Sequence, residues 1–452
     1  MAQHEKFSNK MSAVLVAAGC SVGLGNIWRF PYVVGESGGG AFFLVYIIAI
    51  IIIGLPVMIS EFAVGRSTGV GAVPAYKKLG GNRWKFLGYN SIITSTLIMG
   101  FYYVVAGWTA EYFALSVTGE LAQYTTAAEY KELFSTFVTD PWKPIIYTWI
   151  FIAANHLVIQ RGVTKGLERV SNLLMPLFFV ILIVMAINSL MMPNAMEGVK
   201  FFLQPDLSKI TPSVILKGVG QAFFSLSIGL GALVIYGAYM PKSNNLRTTA
   251  LQVSFLDTIV AVIAGLIIFP AAASTGIDPT AGPALVFETL PMIFQQLPLS
   301  MLWATIFFLL LMIAAITSTM SLHEVGTVFL MEKFHVSRTQ GTTVVSIGLG
   351  ILAALASLSL GVGSEMKMMG LTLFDLLDYV TANITLPLGG MLTSIFVGWI
   401  MEKRLLKNEL TNNGTLEFRY YGQVIFMLRY VCPVIIFFIF LDSIGLFKAF
   451  GF

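Results

Sequence analysis

The chain contains a succession of apolar stretches, each long enough to cross a lipid bilayer as a helix. A helix needs about 20 predominantly apolar residues to span the hydrocarbon core. Eleven stretches meet this length, at residues 11–34, 41–64, 90–118, 142–159, 170–192, 213–240, 248–275, 297–334, 341–360, 371–402 and 422–446. Several exceed a perpendicular crossing, which indicates tilt or interruption. We therefore expect an all-α polytopic membrane protein with eleven transmembrane helices.

The composition excludes several other classes of protein. Only 11% of the residues are charged, against about 25% in soluble domains. So low a charged fraction does not fit a soluble globular protein or a disordered chain. The 27 basic and 23 acidic residues are too evenly balanced to predict a nucleic-acid partner. Cys20 and Cys432 lie far apart in apolar stretches, so they predict neither a disulfide framework nor a thiolate metal site. Nothing in the sequence indicates an obligate protein partner.

The basic residues predict the orientation of the chain in the cell membrane. With the N-terminus inside, 19 of the 27 Lys and Arg residues fall on the cytoplasmic side, seven fall outside, and Arg29 lies within a span. Cytoplasmic loops carry such an excess. Because the predicted number of spans is odd, the C-terminus is expected to be extracellular.

A short glycine motif occurs twice, once in the first span and once in the sixth. The sequence SVGLG at 21–25 returns as SIGLG at 227–231. Five spans separate the copies, so the second enters the membrane from the opposite side. The chain is therefore predicted to form one transporter domain, residues 1–452, with two inverted five-helix repeats. The first repeat is predicted at 11–192 and the second at 213–402, with the eleventh helix, 422–446, outside them.

The two glycine motifs also predict that helices 1 and 6 are discontinuous. Each glycine lowers helix propensity by roughly 1 kcal/mol, and paired interruptions in two halves of a transporter indicate a central binding site. Close packing through small residues is the alternative, and a single copy would favour it. The second copy, at the matching position of the other half, favours the binding site.

Polar side chains near these interruptions offer only oxygen ligands to a cation. They are the side chains of Asn26, Ser225, Ser227, Thr317 and Ser318. Unwound backbone adds free carbonyl groups, and the start of a half-helix suits a carboxylate. Oxygen ligands favour a hard cation over a transition metal.

Of the acidic residues inside apolar spans, Asp257 and Glu61 bear most on the binding site. An uncompensated carboxylate at the position of Asp257 costs roughly 3 kcal/mol or more, so a cation is expected beside it. A protonated acid or a pair with a distant Lys remains the alternative, although the neighbouring spans offer no nearby Lys or Arg. For Glu61 we predict a structural role, in which its carboxylate accepts hydrogen bonds from backbone amides that a helix break has freed.

Longer motifs resemble those of the neurotransmitter:sodium symporter family. The sequence GLGNIWRFP at 23–31 is followed by GGGAF at 38–42, and GQAFFSLS occupies 220–227. Further matches are GLP at 54–56 with Glu61, and residues 314–318. The resemblance covers essentially the whole chain. It implies a sodium-coupled symporter that imports amino acids by alternating access, with two Na⁺ sites and one amino-acid site at the middle of the membrane.

The resemblance also implies which residues bind each ligand. The first Na⁺ would bind the Ser21 carbonyl, the Asn26 side chain, Ser225, Asp257 and the substrate carboxylate. The second would bind carbonyls of Gly19, Val22 and Ala314 and hydroxyls of Thr317 and Ser318. The substrate carboxylate would contact Leu24, Gly25 and Tyr102, and its amine would contact Ser21, Phe224, Ser225 and Ser227. The side-chain pocket would consist of Ile98, Tyr102, Phe224, Leu230, Ser318 and Leu322.

The outer gate of the family matches this chain more closely than the inner gate does. The outer pair, Arg29 and Asp378, matches the family pattern. At the inner gate, many relatives carry an Arg and a Trp before the first span, and these positions are His4 and Phe7 here. Glu332 is expected to be the acidic partner of the inner gate.

Three further features refine the expected function. Asp257 stands where animal members carry Asn and require chloride, so we predict chloride independence. Leu230, where some relatives carry Phe, favours neutral hydrophobic or aromatic L-amino acids. Gly166 and Pro176 resemble a family motif that lets the inner end of the fifth span unwind.

Three other functions compete with this interpretation. Proton coupling through Asp257 and Glu61 is the alternative within transport. An intramembrane hydrolase would need a metal or a nucleophile pair, and His323-Glu324 lacks the second His of a zinc motif because Thr327 occupies its position. A channel would need a ring of repeated filter residues, which the sequence lacks. The protein is therefore not expected to be an enzyme.

Overall fold

The computed structural model describes residues 5–276 and 286–446, which form helices and connections without a strand. The α-helices are α1 (Lys10–Ser21), α2 (Phe30–Glu36), α3 (Gly40–Ala49), α4 (Leu55–Thr68), α5 (Ala72–Gly80), α6 (Lys85–Thr118), α7 (Ala127–Thr139), α8 (Lys143–Ile159), α9 (Arg169–Leu190), α10 (Ala195–Leu203), α11 (Pro212–Ser225), α12 (Ala232–Tyr239), α13 (Leu246–Thr275), α14 (Thr289–Gln295), α15 (Ser300–Phe334), α16 (Arg338–Leu358), α17 (Leu373–Val380), α18 (Leu386–Ile395), α19 (Lys403–Leu410), α20 (Tyr421–Phe426) and α21 (Cys432–Ser443).

Short π-helical segments join several of these helices into longer runs. They lie at Gly25–Arg29, Ile50–Gly54, Val163–Glu168, Thr381–Thr385, Phe396–Ile400 and Met427–Val431. 3₁₀ turns lie at Asn82–Trp84, Glu120–Gln123 and Leu207–Lys209. In a π-helical segment the backbone hydrogen bonds run from i to i+5 and so enclose one more residue than in an α-helix, and such segments often occur at functional positions.

Eight helical runs in the described part of the chain are long and apolar enough to cross a membrane. They are Gly40–Thr68, Asn82–Thr118, Val163–Leu190, Leu246–Thr275, Ser300–Phe334, Arg338–Leu358, Leu373–Ile400 and Tyr421–Ser443. The bent pair Lys10–Ser21 and Gly25–Glu36 makes a ninth if it is counted as one span. The shorter apolar helix Lys143–Ile159 and the interrupted pair α11 and α12 occupy the other two predicted spans. The exact total of eleven therefore remains a prediction.

The runs differ in how much of their apolar surface lies inside the protein. In the apolar part of Asn82–Thr118, 78% of the residues are buried, against 22% in Tyr421–Ser443. The first run therefore lies at the centre of the helix assembly. The second leaves large apolar side chains such as Phe437 and Phe438 exposed at its periphery, where a membrane protein contacts lipid.

Local sequence signals account for many helix ends. The Thr211 side chain accepts a hydrogen bond from the Val214 amide, and Pro212 occupies the first turn of α11. Ser337 and Gln340 form a capping box at the start of α16. The long helix α13 is followed directly by Gly276, whose φ of 70° is a left-handed conformation that glycine adopts without strain.

Close packing of α4 against α12 fixes the geometry near the centre of the molecule. A Cβ atom on Gly65 would collide with the Val234 carbonyl, and one on Gly237 would collide with the backbone of Phe62. Small residues let two membrane helices approach this closely. The contact brings Glu61, on α4, to the chain segment that precedes α12.

Candidate functional site

The first helix is interrupted at its glycine motif. Helix α1 ends at Ser21, a π-helical segment begins at Gly25, and the two parts are inclined by 48°. The Gly23 amide donates to Asn26 Oδ1 over 3.0 Å, and the Leu24 amide donates to the Tyr102 hydroxyl over 3.0 Å. Side chains therefore accept from amides that the interruption has freed.

The second glycine motif also lies at an interruption, which is longer. Helix α11 ends at Ser225 and α12 begins at Ala232. Three residues between them have positive φ, namely Ser227 at 54°, Gly229 at 85° and Gly231 at 79°. The two glycines adopt this conformation without the Cβ clash that a serine meets.

Neighbouring helices hold the second interruption in place. The Gly229 amide donates to the buried Glu61 carboxylate over 2.8 Å, and Ser95 Oγ donates to the Leu230 carbonyl over 2.6 Å. The Glu61 carboxylate thus accepts from a backbone amide freed by a helix break, as the sequence predicts. The two interruptions also contact each other, because Ser227 Oγ donates to the Cys20 carbonyl over 3.1 Å.

A buried cluster surrounds Asp257 beside the first interruption. Asn26 Nδ2 donates to Asp257 Oδ1 over 2.9 Å, and Ser225 Oγ donates to Asp257 Oδ2 over 2.8 Å. Tyr46, which the sequence analysis missed, donates to the same carboxylate over 3.2 Å. No Lys or Arg in residues 5–276 and 286–446 forms an ion pair with Asp257. Three of the four residues predicted for the first Na⁺ are therefore in direct contact.

The fourth residue of that predicted set, Ser21, is the last residue of α1. Its hydroxyl lies 3.5 Å from the Leu226 carbonyl, which belongs to the second interruption. Ser21 thus lies between the two interruptions and does not hydrogen bond to Asp257 through its side chain.

A second oxygen cluster lies where α1 packs against α15. Ser318 Oγ donates to the carbonyls of Gly19 and Val22 over 3.2 and 3.3 Å. Thr317 Oγ1 lies 3.1 Å from the carbonyl of Ala314, on its own helix. The five residues predicted for the second Na⁺ therefore come from two adjacent helices and are partly joined by hydrogen bonds.

A narrow cavity separates the two interruptions. Its volume of about 30 Å³ is room for one or two water molecules. All six residues predicted for the side-chain pocket line it, together with Ser21, Gly25 and Ser227 from the predicted substrate contacts. Three further lining residues, Cys20, Gly23 and Leu386, were not predicted from the sequence. Leu24 and Ser225 were also predicted to contact the substrate. Neither lines the cavity, although each is next in sequence to a residue that does.

Comparisons with known proteins identify what kind of protein carries this site. The family model described as the sodium:neurotransmitter symporter family matches residues 4–139 and 141–452. The chain belongs to the sodium:neurotransmitter symporter family. It is therefore a membrane transporter and not an enzyme.

Similar proteins cover nearly the full length of this symporter. An uncharacterized sodium-dependent transporter of Bacillus subtilis is 35% identical over 98% of both chains. One of Haemophilus influenzae is 36% identical, again over 98% of both. The crystal structure of MhsT in complex with L-phenylalanine matches with a TM-score of 0.90 and 39% identity, covering 97% of this chain and 100% of that one.

The predicted outer gate residues of the symporter lie near each other without an ion pair. The Arg29 guanidinium lies 4.4 Å from the centre of the Phe224 ring. Asp378 is close enough to Arg29 for an electrostatic interaction, but no ion pair joins them in the described part of the chain. Arg29 therefore covers the aromatic wall of the cavity.

The described residues predicted for the inner gate contact different partners. Phe7 is buried, and its ring lies 6.0 Å from Tyr236 and 5.9 Å from Tyr239. Glu332 accepts from the Gly71 amide over 2.8 Å. His4 lies outside the described residues.

The remaining inner contacts hold the chain before α1 against the fifth span. The Glu5 carboxylate accepts from the Val163 amide over 2.8 Å, and Ser8 donates to Glu168 through both its backbone amide and its hydroxyl. Gly166 belongs to the same π-helical segment, Val163–Glu168, and Pro176 lies inside α9. The predicted unwinding motif therefore begins at the segment that binds the N-terminal residues.

The His323-Glu324 pair lies on α15 and its two side chains have different partners. The Tyr103 hydroxyl lies 2.8 Å from His323 Nδ1, within hydrogen-bond distance. Glu324 forms a bidentate ion pair with Arg338, with distances of 2.7 and 2.8 Å. Within the described residues, no group of three His, Cys, Asp or Glu side chains could hold a metal ion.

Proposed function

We propose that this protein is a sodium-coupled symporter that imports neutral hydrophobic or aromatic L-amino acids by alternating access. It would lie in the cell membrane as two inverted five-helix repeats and an eleventh helix, with its N-terminus in the cytoplasm and its C-terminus outside. The observation that carries the proposal is the buried oxygen cluster around Asp257, beside an interrupted helix. The proposal assigns two Na⁺ ions and one amino acid to this region.

Charge balance supports a cation at the first site. Asp257 is fully buried, and its contacts to Asn26, Ser225 and Tyr46 are all with neutral groups. A buried carboxylate is strongly destabilising unless a cation accompanies it. A Na⁺ ion there would bind carboxylate, amide and hydroxyl oxygens, which are the ligands that hard cations prefer. The substrate carboxylate would complete the set, which couples the ion to the amino acid.

The second proposed Na⁺ site contains only neutral oxygen atoms. It combines the carbonyls of Gly19, Val22 and Ala314 with the hydroxyls of Thr317 and Ser318. A hydroxyl that now donates to a carbonyl can rotate and present its lone pairs to a cation. Because α1 and α15 both contribute ligands, an ion there would hold these two helices together.

The substrate is proposed to bind in the narrow cavity between the two interruptions. Its carboxylate would replace the hydrogen bond between the Leu24 amide and the Tyr102 hydroxyl, and it would also contact the Gly25 amide. The apolar side chains of Ile98, Leu230 and Leu322 suit a hydrophobic or aromatic substrate, and MhsT was crystallised with L-phenylalanine. Because the cavity volume is only about 30 Å³, its walls must separate when the substrate enters.

The coupling energy suffices for uphill uptake. Each charge that moves through a potential of about 100 mV yields about 2.3 kcal/mol. Two Na⁺ ions with a zwitterion therefore yield about 4.6 kcal/mol, which supports roughly thousandfold accumulation at about 1.4 kcal/mol per factor of ten. We also propose that chloride is unnecessary, because Asp257 already supplies a fixed negative charge.

The test is uptake of a panel of labelled amino acids into proteoliposomes, with Na⁺, K⁺ and chloride replaced in turn. The proposal predicts uptake that requires a Na⁺ gradient, continues in gluconate, and favours hydrophobic or aromatic L-amino acids. Uptake that persists when Na⁺ is replaced by K⁺ would contradict it. Uptake driven by a pH step without Na⁺ would support the alternative of proton coupling through Asp257 and Glu61.

A further inference from the structure

A large groove lies at one end of the molecule, away from the proposed transport site. Its volume is about 580 Å³, and its walls are α5, the start of the α6 run and the end of α15. Val70, Val73 and Phe329 contribute apolar surface to it. A groove that lies where membrane helices begin and end is at the level of lipid headgroups.

Three lysines line this groove, one from each wall. They are Lys77, Lys85 and Lys333. With the N-terminus inside, as the sequence predicts, all three are among the 19 basic residues of the cytoplasmic side. None of them forms an ion pair in residues 5–276 and 286–446. The acidic residue in the lining, Glu332, accepts from the Gly71 amide over 2.8 Å. Three lysines against one carboxylate leave the groove with a net positive charge.

Aromatic side chains at the same end indicate contact with the membrane interface. The Lys333 ammonium lies 5.0 Å from the ring centre of Tyr89 and 5.2 Å from that of Phe329, which holds it beside the groove. Phe86 and Phe334 are 47% and 59% exposed. Exposed aromatic residues beside lysines are typical of the boundary between lipid and water.

We propose that this groove binds the headgroup of an anionic phospholipid. The lysines would contact the phosphate, and the apolar surface would contact the glycerol and the upper part of an acyl chain. Basic pockets between membrane helices bind acidic headgroups in this way. A zwitterionic lipid brings its own cationic group to the three lysines, so it binds more weakly.

The test is native mass spectrometry of the full-length, delipidated protein with phosphatidylglycerol or phosphatidylcholine carrying the same acyl chains. We expect one phosphatidylglycerol to bind at least tenfold more tightly than phosphatidylcholine. The triple variant Lys77→Gln, Lys85→Gln, Lys333→Gln should lower that preference to within about twofold. The matched control, Lys10→Gln, Lys403→Gln, Lys407→Gln, changes three exposed lysines elsewhere and should retain it. If both triple variants showed the same preference for phosphatidylglycerol over phosphatidylcholine, the proposal would be overturned.

Two further arms separate the groove from other sources of binding. Val73→Trp fills the groove and leaves the lysines unchanged, so it should also remove the tightly bound lipid. Retained binding in this variant would overturn the assignment to the groove. Inorganic phosphate at the lipid concentration should leave the bound lipid in place, and displacement by it would assign the groove to a soluble anion and overturn the lipid proposal. These measurements contain no Na⁺ gradient and stand apart from the transport assay.

Discussion

The two interrupted helices carry nearly the same five-residue motif but are held in different ways. At the first, the Gly23 amide binds a side chain of its own chain segment, Asn26, and the Leu24 amide binds Tyr102. At the second, Glu61 and Ser95 reach in from neighbouring helices and bind the backbone of Gly229 and Leu230. The first is therefore held by groups that a ligand could replace, and the second by groups of the surrounding scaffold.

This difference suggests a division of labour. A carboxylate that enters the site can take over the Leu24 amide, since the Tyr102 hydroxyl is a neutral acceptor and charged acceptors bind more strongly. No comparable exchange is expected at Gly229, because its acceptor is already a buried carboxylate. Variants near the first interruption should therefore change ligand affinity, and variants near the second should change stability.

The largest effect is expected for Asp257→Ala, which removes the charge beside the first interruption. We predict that Na⁺-driven uptake into proteoliposomes falls at least about a hundredfold, equivalent to about 2.8 kcal/mol. Asp442→Ala, at the end of the last helix, is the matched control and should leave uptake unchanged. An Asp257→Ala protein that kept its Na⁺ dependence would contradict the proposed first ion site.

Glu61→Ala should have the next largest effect, and on a different quantity. It leaves the buried Gly229 amide without an acceptor, which destabilises the folded protein by about 1–3 kcal/mol. The measurement is the midpoint of thermal unfolding in detergent. Glu61→Gln keeps a carbonyl oxygen as acceptor and should recover most of the stability. If the Ala variant unfolded like the wild type, the second interruption would not depend on this carboxylate.

Tyr102→Phe tests the replaceable contact at the first interruption. Loss of the hydroxyl removes one proposed donor to the substrate carboxylate, so we expect KM for the amino acid to rise about tenfold, or about 1.4 kcal/mol. Tyr103→Phe is the control on the same helix, because its hydroxyl contacts His323. A similar KM in both variants would argue against substrate binding at Tyr102.

The smallest effect is expected for Ser95→Ala, which removes the donor to the Leu230 carbonyl. One buried hydrogen bond contributes about 1 kcal/mol, so the unfolding midpoint should fall slightly while KM stays within about twofold. Ser91→Ala is the control, because among the described residues Ser91 Oγ donates to the Leu87 carbonyl of its own helix and not to the second interruption. A KM that changes by more than about twofold, with an unfolding midpoint equal to that of the wild type, would contradict the distinction between the two interruptions.

The sequence predicts the parts of the molecule that carry a local signature. Both glycine motifs mark helix breaks, and Glu61 binds a freed amide as expected. Tyr46 was not predicted because it lies outside the quoted motifs, four residues beyond GGGAF, and its contact with Asp257 depends on how α3 packs. Leu386 was not predicted because it reaches the cavity from a helix distant in sequence. Ser95 lies on the same helix as the predicted Ile98 and Tyr102, but its bond to the Leu230 carbonyl depends on how that helix packs against the second interruption.

Conformation is a second limit on what the sequence can predict. The family pattern pairs Arg29 with Asp378, but the described structure has Arg29 over the Phe224 ring and no ion pair between the two. In the proposed alternating-access cycle a gate contact forms and breaks, so its presence in one structure depends on the state as well as on the residues. The cavity volume depends on the state in the same way.

The central claim is that the first interruption and Asp257 form a site that Na⁺ and an amino acid occupy together. Equilibrium binding of labelled L-phenylalanine to the purified protein, titrated with Na⁺ at constant ionic strength, tests it directly. We predict that binding rises cooperatively with Na⁺, is the same in chloride and gluconate, and is lost in Asp257→Ala. Equal binding in K⁺ and Na⁺, or undiminished Na⁺-dependent binding in Asp257→Ala, would contradict the claim.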